Sequence, residues 1–215
     1  LKKSRQLYAG QYGIAMSYTE MPQWHLDNFG IKIDEYVKHH DSHAAAGYYT
    51  SPFREATILT VDAIGEWDTV SISTADKIWI ERKETIKYPH SLGILYSAFT
   101  HRCGLKPAEE EYILMGMAAY GEPKYKEDIY NDFVYQSPLK LKQNLHRGLS
   151  DWHPEADPMD LAASIQAVTE ECLADLWKRA SKYGSRNLVY AGGVALNCAA
   201  NKVLANLGLF DNIWI

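Results

Sequence analysis

The segment KHHDSH, residues 38–43, holds three of the chain's eight histidines within five positions. His39 and His43 are four residues apart, so on a helix both imidazoles would lie on one face and could bind one ion, whereas His40 would point elsewhere. Two imidazoles and one carboxylate with open positions are a common ligand set for a divalent first-row metal. The alternative is that these histidines are solvated, or cap a surface helix.

Asp62 is the carboxylate that we expect to complete this set. It ends the run ATILTVD, residues 56–62, whose apolar residues predict a buried strand. An acid at the exit of a strand can face a cleft while its backbone is held in place. The turn at 63–68 would then return the chain as a hairpin. The alternative is that Asp62 only caps this turn.

A glycine pair forms a second candidate site. Gly192 and Gly193 follow a predicted strand at 187–191 and precede a helix of small residues that continues through Asn201. Backbone N–H groups at such a position can approach a phosphate or a nucleoside, and the start of the helix adds partial positive charge. The alternative is a tight strand-to-helix turn with no ligand.

The elements that must position these residues follow from periodicity and turn signals. An apolar–polar alternation at 32–37 predicts a short strand, and the alanine-rich segment 41–49 predicts a helix that Ser51-Pro52 ends. Three further extended runs predict an antiparallel meander. The remaining predicted elements are strands at 56–62, 69–74 and 77–85, helices at 91–102 and 161–183, and strands at 187–191 and 212–215. This order predicts an α/β fold.

Three local signals predict where elements begin and end. Residues 1–30 predict a helix followed by a loop that Pro22 and Gly30 mark. Ser91 is predicted to be the N-cap of a helix. Gly121 is predicted to be the C-terminal cap of another.

Composition limits the classes of protein. The chain has 215 residues, 47% hydrophobic and 23% charged, which is enough for one buried core. A net charge of -5 argues against a polyanion as the main partner, so nucleic acid is not expected. Cys103, Cys172 and Cys198 are odd in number and widely spaced, which predicts reduced thiols in a cytoplasmic protein. No apolar run approaches the roughly 18 residues of a membrane span.

Taken together and in order, five segments make the chain resemble the nodulation-type carbamoyltransferase family, which includes antibiotic-tailoring O-carbamoyltransferases. The resemblance runs from about His39 to the last residue. The segments are HHDSHAAAGYYTSPF, LTVDAIGEWDT, YPHSLGILYSAFT, MGMAAYGEPKY and YAGGVALNCAAN. The combination is far more specific than any one of its members.

The resemblance implies a fold, a reaction and a set of site residues. The fold would be part of an actin/Hsp70/sugar-kinase-like, ribonuclease H-like ATPase fold, in which an antiparallel meander is surrounded by helices. Carbamoyl phosphate and ATP would give carbamoyladenylate on a separate YrdC-like domain, and the actin-like domain would pass the carbamoyl group to a hydroxyl of a small-molecule acceptor. Carried onto this chain, the metal ligands are His39, His43 and Asp62, with iron as the expected ion, and the nucleotide-binding residues are Gly192, Gly193 and Asn197.

The same resemblance implies that residues 1–215 are a fragment of the N-terminal actin-like domain. The acid–base pair would precede residue 1, a last metal-binding aspartate would follow Ile215, and the YrdC-like domain would lie outside the chain. The isolated piece is therefore expected to be inactive in transfer. Three other functions stay open: a tRNA threonylcarbamoyl transferase, a catalytically silent nucleotide-binding domain, and a sugar kinase of the same fold. The acceptor and homodimerisation are also open.

Overall fold

The computed structural model describes residues 20–32, 34–35, 37–135, 139–146, 148–149 and 151–215. The chain divides into two units, residues 1–37 and residues 38–215. All six candidate site residues belong to the second unit.

In the first unit, the structure describes one helix, α1 (Glu20–Phe29). The predicted loop from Pro22 is wrong: the helix includes Pro22, close to its start, where a missing N–H costs little, and Gly30 follows its end with φ 65°. The predicted strand at 32–37 is also wrong for its described residues, which are exposed and belong to no strand. Alternation alone does not supply the hydrogen-bonding neighbour that a strand needs. The earlier part of the predicted N-terminal helix lies outside the described residues.

The second unit alternates helices and strands. In chain order its elements are α2 (His39–Thr50), β1 (Glu55–Gly65), β2 (Asp68–Asp76), β3 (Trp79–Lys87), α3 (Leu92–Arg102), α4 (Glu111–Met117), a 3₁₀ turn (Ala118–Tyr120), α5 (Lys126–Phe133), β4 (Val134–Tyr135), β5 (Lys140–Leu141), α6 (Pro158–Ser181), β6 (Asn187–Ala191), a second 3₁₀ turn (Gly193–Leu196), α7 (Cys198–Ala205) and β7 (Asn212–Trp214). None of the described helices is both long enough and apolar enough to cross a membrane.

A mixed five-stranded sheet organises this unit, in the order β3-β2-β1-β6-β7. β1, β2 and β3 pair antiparallel, which confirms the predicted meander. β6 and β7 then extend the sheet in parallel with β1, because the long crossover through the helices returns the chain in the same direction. The predicted α/β class is confirmed.

Helices cover both faces of the sheet, which explains why β1 is almost continuously buried. On one face, α2 packs Ala44 and Tyr48 against Ile58 and Val189. On the other face, Leu59 belongs to the main core, to which α3, α6 and α7 contribute. Adjacent residues of β1 therefore face different layers, as the period of a strand requires.

An irregularity in β3 ties α2 to the sheet. The register shifts where Ile72 pairs with Glu84 and Ser73 pairs with Arg82. Arg82 consequently lies on the face that α2 covers, where its guanidinium pairs with Asp41 of α2 and, at 2.8 Å, with Asp68. The extra residue of a bulge re-aims side chains in this way, and the ion pair helps to hold the start of α2 over the sheet.

Two cap predictions have different outcomes. Ser91 is the N-cap of α3, and its hydroxyl accepts the Ile94 N–H at 3.0 Å, as predicted. Gly121 is the C-cap of the 3₁₀ turn that continues α4, as predicted, but it is extended, with φ -111°, and not left-handed. A Cβ there would lie 2.0 Å from the carbonyl oxygen of Met159, so this glycine allows a close approach to the start of α6.

Candidate metal centre

Helix α2 begins at His39 and therefore carries both predicted histidine ligands. The Nε2 atoms of His39 and His43 are 3.0 Å apart. The two rings are nearly perpendicular, with centroids 4.6 Å apart. Residues one helical turn apart on the same face meet in this way, so the spacing predicted from the sequence is confirmed.

Asp62 meets both histidines from β1. Its Oδ2 lies 2.6 Å from Nε2 of His39 and 3.3 Å from Nε2 of His43. Oδ1 accepts the N–H of Ala63 at 2.7 Å. One carboxylate oxygen therefore caps the turn, as the alternative interpretation of Asp62 proposed, while the other contacts the histidines. The prediction that the strand ends at Asp62 is wrong: β1 continues to Gly65 through a register irregularity.

This geometry fits a divalent cation. Three ligand atoms bound at about 2.1 Å to one ion are separated by roughly 3 to 3.4 Å. The separations of His43 Nε2 from His39 Nε2 and from Asp62 Oδ2, 3.0 and 3.3 Å, match this range, and the separation between His39 Nε2 and Asp62 Oδ2 is shorter, 2.6 Å. The two Nε2 atoms and Oδ2 of the almost buried Asp62 carboxylate come together at one place, a donor set suited to a first-row metal. Among the described residues, His39, His43 and Asp62 form the group of side chains that could hold an ion.

Gly65 and Glu66, which follow Asp62 in the chain, support His39. Neither was identified from the sequence as a supporting residue. A Cβ on Gly65 would lie 2.4 Å from Cδ2 of His39, so the imidazole packs directly on the strand backbone. The Glu66 carboxylate accepts the backbone N–H of His39 at 3.2 Å, and its negative charge suits the first turn of α2. Glu66 has φ 53°, as tight turns require. The sequence signal that could have identified these two residues is the dipeptide Gly-Glu after a buried strand.

His40 points away from the candidate metal centre, as predicted, and is fully buried. Its Nδ1 lies 3.2 Å from the Ser71 hydroxyl. Nε2 has no hydrogen-bond partner among the described residues. Burial, and after it the nearby Arg82 charge, lower the pKa of His40 to about 4. His40 is therefore neutral near pH 7 and anchors α2 by packing and one hydrogen bond.

The glycine loop, defined here as residues 192–197, lies beside Asp62. Gly192 has φ 100°, and a Cβ there would lie 2.2 Å from the Val61 carbonyl oxygen. A Cβ on Gly193 would lie 2.9 Å from Oδ1 of Asp62. The structure thus gives both glycines a close-packing role and brings the two predicted sites together at the same end of β1.

Asn197, the third predicted nucleotide residue, is the N-cap of α7. Its Oδ1 accepts the Ala200 N–H at 3.0 Å, and its amide also pairs with Gln166. The prediction that the helix follows the glycine pair directly is wrong, because the 3₁₀ turn (Gly193–Leu196) lies between them. Gln166 was not identified from the sequence, and no local pattern marks it.

The start of α3 contacts β1 next to Asp62. The Ser91 hydroxyl donates to the Ala63 carbonyl oxygen at 2.5 Å. A Cβ on Gly93 would lie 2.7 Å from the Ala63 backbone, so the motif Ser-Leu-Gly allows the helix to approach the strand closely. Helix α2, helix α3 and the glycine loop therefore all contact one short stretch of β1, which holds the Asp62 backbone in place.

The fold and the site define a class: a mixed α/β protein with a candidate metal centre beside a glycine loop. The model of the carbamoyltransferase N-terminus family matches residues 27–215. The chain belongs to this family, which confirms the resemblance found in the sequence.

Curated relatives agree with this assignment. The chain is 41% identical to the uncharacterized protein sll1178 of Synechocystis, over 83% of this chain and 33% of the relative. It is 29% identical to nodulation protein NolNO of Sinorhizobium fredii, over 87% of this chain and 30% of the relative. It is 26% identical to nodulation protein NolO of Bradyrhizobium diazoefficiens, over 83% of this chain and 35% of the relative. The chain spans about a third of the length of these relatives.

Proposed function

We propose that the protein to which this chain belongs is an O-carbamoyltransferase. It transfers a carbamoyl group from carbamoyl phosphate, through an ATP-derived carbamoyladenylate, to a hydroxyl of a small-molecule acceptor. Residues 1–215 supply part of an actin-like N-terminal domain, and the mixed sheet with its antiparallel meander supports that fold. The relatives are about three times longer, so other segments complete the reaction.

The observation that carries the proposal is the meeting of the two predicted sites at one end of β1. Nε2 of His39 lies 2.6 Å from Oδ2 of Asp62, and a Cβ on Gly193 would lie 2.9 Å from Oδ1 of the same carboxylate. A group bound by the histidines and Asp62 would therefore be adjacent to a ligand on the backbone of the glycine loop. Adenylate transfer requires this adjacency, because the reacting carbonyl is attached to the nucleotide phosphate.

Each part of the site has a separate role in the proposal. A divalent ion, with iron as the first expectation, would supply Lewis acidity to a phosphate or carbonyl oxygen. His39, His43 and Asp62 hold it, and Gly65 and Glu66 fix the orientation of His39. The N–H groups of the glycine loop bind the nucleotide. In the transfer step the acceptor oxygen bonds to the carbamoyl carbon, the bond from that carbon to the phosphate oxygen breaks, AMP leaves and the hydroxyl proton passes to a base.

Metal content tests the first part of the proposal. Elemental analysis of the purified chain is expected to find about one divalent ion per chain, and the H39A/H43A variant is expected to lose it. The H101A/H146A variant is the control, because it removes the same number of histidines at exposed positions. Metal retained by H39A/H43A at matched thermal stability contradicts the assignment of these ligands.

Transfer is tested with a polypeptide that carries this chain and the full length of the family relatives. Radiolabelled carbamoyl phosphate is incubated with ATP and a mixture of hydroxylated small molecules, and labelled neutral products are separated. ATP-dependent labelling that H39A/H43A abolishes is the expected result. Failure to consume carbamoyl phosphate would support a catalytically silent domain, and label in added tRNA would support the tRNA-modifying alternative.

A further inference from the structure

Helix α2 contacts the sheet in three directions around its own axis. Successive residues of an α-helix are about 100° apart, so His39 and His43 lie on one flank of α2, about 40° from each other. On this flank they meet Asp62 of β1. His40 lies about 100° from His39, and its buried ring reaches the Ser71 hydroxyl of β2. The two candidate ligands therefore lie to one side of the face that α2 turns toward the sheet.

The opposite flank of α2 carries Asp41, about 200° around the axis from His39. Nη2 of Arg82, on β3, donates to the Asp41 carboxylate, and Nη1 donates to Oδ2 of Asp68 at 2.8 Å. The Arg82 side chain is only 24% exposed, so these ion pairs are partly shielded from water. A planar guanidinium can hold two carboxylates in fixed directions. The sheet therefore holds the first turn of α2 on both flanks.

Contacts on two flanks fix the roll of a helix, which is its rotation about its own axis. A contact at the middle of the buried face, such as that of His40, lies close to the line about which the helix rocks and resists roll weakly. A contact on a flank resists roll strongly. An imidazole nitrogen about 6 Å from the axis moves by about 1 Å when the helix rolls by about 10°. Metal–ligand distances tolerate only about 0.2 Å, so the ligand set depends on the roll of α2.

We infer that Arg82 is a positioning residue of the candidate metal centre, which sets the roll of α2 so that both ligand histidines meet Asp62. The inference rests on the metal role in the proposed function. It differs from a role in stability, because it requires metal affinity to fall in a variant that stays folded. It also differs from an effect of charge. Removing a positive charge near a bound cation raises the affinity for that cation, whereas loss of positioning lowers it.

The R82M and R82K variants test this inference, with Zn²⁺ as the probe and competition against a chelator as the assay. R82M removes both ion pairs and keeps a long side chain, and we expect Zn²⁺ affinity to fall about tenfold, the range for a ligand that loses its support. R82K keeps the charge, but an ammonium group cannot hold both carboxylates in a rigid fork. We therefore expect R82K to lower Zn²⁺ affinity by a smaller factor.

The R179M variant is a matched control. Arg179 of α6 pairs with Glu84, which lies on the same strand as Arg82, and its side chain is 26% exposed, close to the 24% of Arg82. Because α6 belongs to the main core and not to the layer of α2, R179M should leave Zn²⁺ affinity unchanged. The visible absorption of bound Co²⁺ reports the geometry of its ligands. We expect this spectrum to change in R82M and to stay the same in R179M.

Four outcomes would overturn the inference. Wild-type Zn²⁺ affinity in folded R82M shows that α2 keeps its roll without Arg82. A rise in affinity in R82M shows that Arg82 acts through its charge. Equal losses in R82M and R179M show only a general effect of lower stability. No metal binding by the wild-type chain removes the candidate metal centre together with this inference, whereas failure of the R82M prediction alone leaves the proposed function standing.

Discussion

Gly65 offers a direct test of how the strand backbone positions His39. Replacing it with alanine adds one methyl group, whose carbon would lie 2.4 Å from Cδ2, 2.7 Å from Cγ and 2.8 Å from Cβ of His39. The last two atoms lie close to the α2 backbone and cannot rotate away freely. The G65A variant must therefore move the start of α2, or the end of β1, rather than a flexible side-chain tip.

The size of the effect follows from these distances. Restoring ordinary contact of about 3.4 Å moves the imidazole by about 1 Å, whereas metal–ligand distances tolerate about 0.2 Å. We expect metal affinity to fall by about 10- to 100-fold, the range seen when the support of a ligand is lost. Overpacking should also lower the free energy of unfolding by about 1–3 kcal/mol.

The assay compares G65A with G116A by competition for metal against a chelator and by thermal unfolding. Gly116 lies in α4, and a Cβ there would have no heavy atom within 4 Å among the described residues, apart from its chain neighbours and the backbone of its own helix. G116A should retain wild-type metal affinity and gain up to about 1 kcal/mol, because alanine favours the helix. Affinity is measured well below both unfolding temperatures, so that a fall in stability alone cannot imitate a loss of metal. Wild-type metal affinity in folded G65A would refute the reasoning.

Three further predictions concern the same end of the sheet. G193A should weaken metal binding about tenfold, since its Cβ would lie 2.9 Å from Oδ1 of Asp62 and would displace the carboxylate. S91A should lower the free energy of unfolding by about 1 kcal/mol in urea titrations, because the Ile94 N–H loses its cap. The free energy of unfolding of the metal-free chain should fall by about 2 kcal/mol between pH 7 and pH 5 on account of His40, whose pKa is lowered from 6.5 to about 4 in the folded state.

The sign of the last effect follows from proton binding. Between pH 6.5 and 4 the unfolded chain binds a proton at His40 that the folded chain does not, so acid favours unfolding. The H40N variant is the control: its amide can still reach the Ser71 hydroxyl but does not titrate. An equal pH slope in H40N and wild type would contradict the assignment. Unchanged metal binding by folded G193A, or an unchanged urea midpoint in S91A, would contradict the other two predictions.

Local spacing predicted much of the fold and two of the three residues of the candidate metal centre. The meander, the strand at 187–191 and the Ser91 cap were predicted because each depends on neighbours along the chain. The strand at 32–37 failed for its described residues, because alternation does not supply a neighbouring strand. Gly121 caps the 3₁₀ turn after α4, as predicted, but its close approach to Met159 was not predicted, because a glycine that allows close packing and one that adopts positive φ look the same in a sequence.

The residues that support the site could not be found from local patterns. Gly65 contacts a ring from another element, and Gln166 pairs with Asn197 from 31 positions away. Neither residue lies in a spacing that suggests chemistry. Their roles depend on which atoms meet after strands and helices have packed, and a single substitution at a contacting residue would change those roles without changing the motif.

The sequence by itself determined that His39 and His43 share one helical face, that extended and helical segments alternate, and that the chain resembles carbamoyltransferases. Only the tertiary structure decided that Asp62, 23 residues after His39, brings its oxygen within 2.6 Å of that face, and that the glycine loop packs against the same carboxylate. The physical reason is that helical spacing is set by the local backbone geometry of 3.6 residues per turn, whereas the meeting of α2, β1 and the glycine loop is set by sheet register and by the close approach that Gly65 and Gly193 permit.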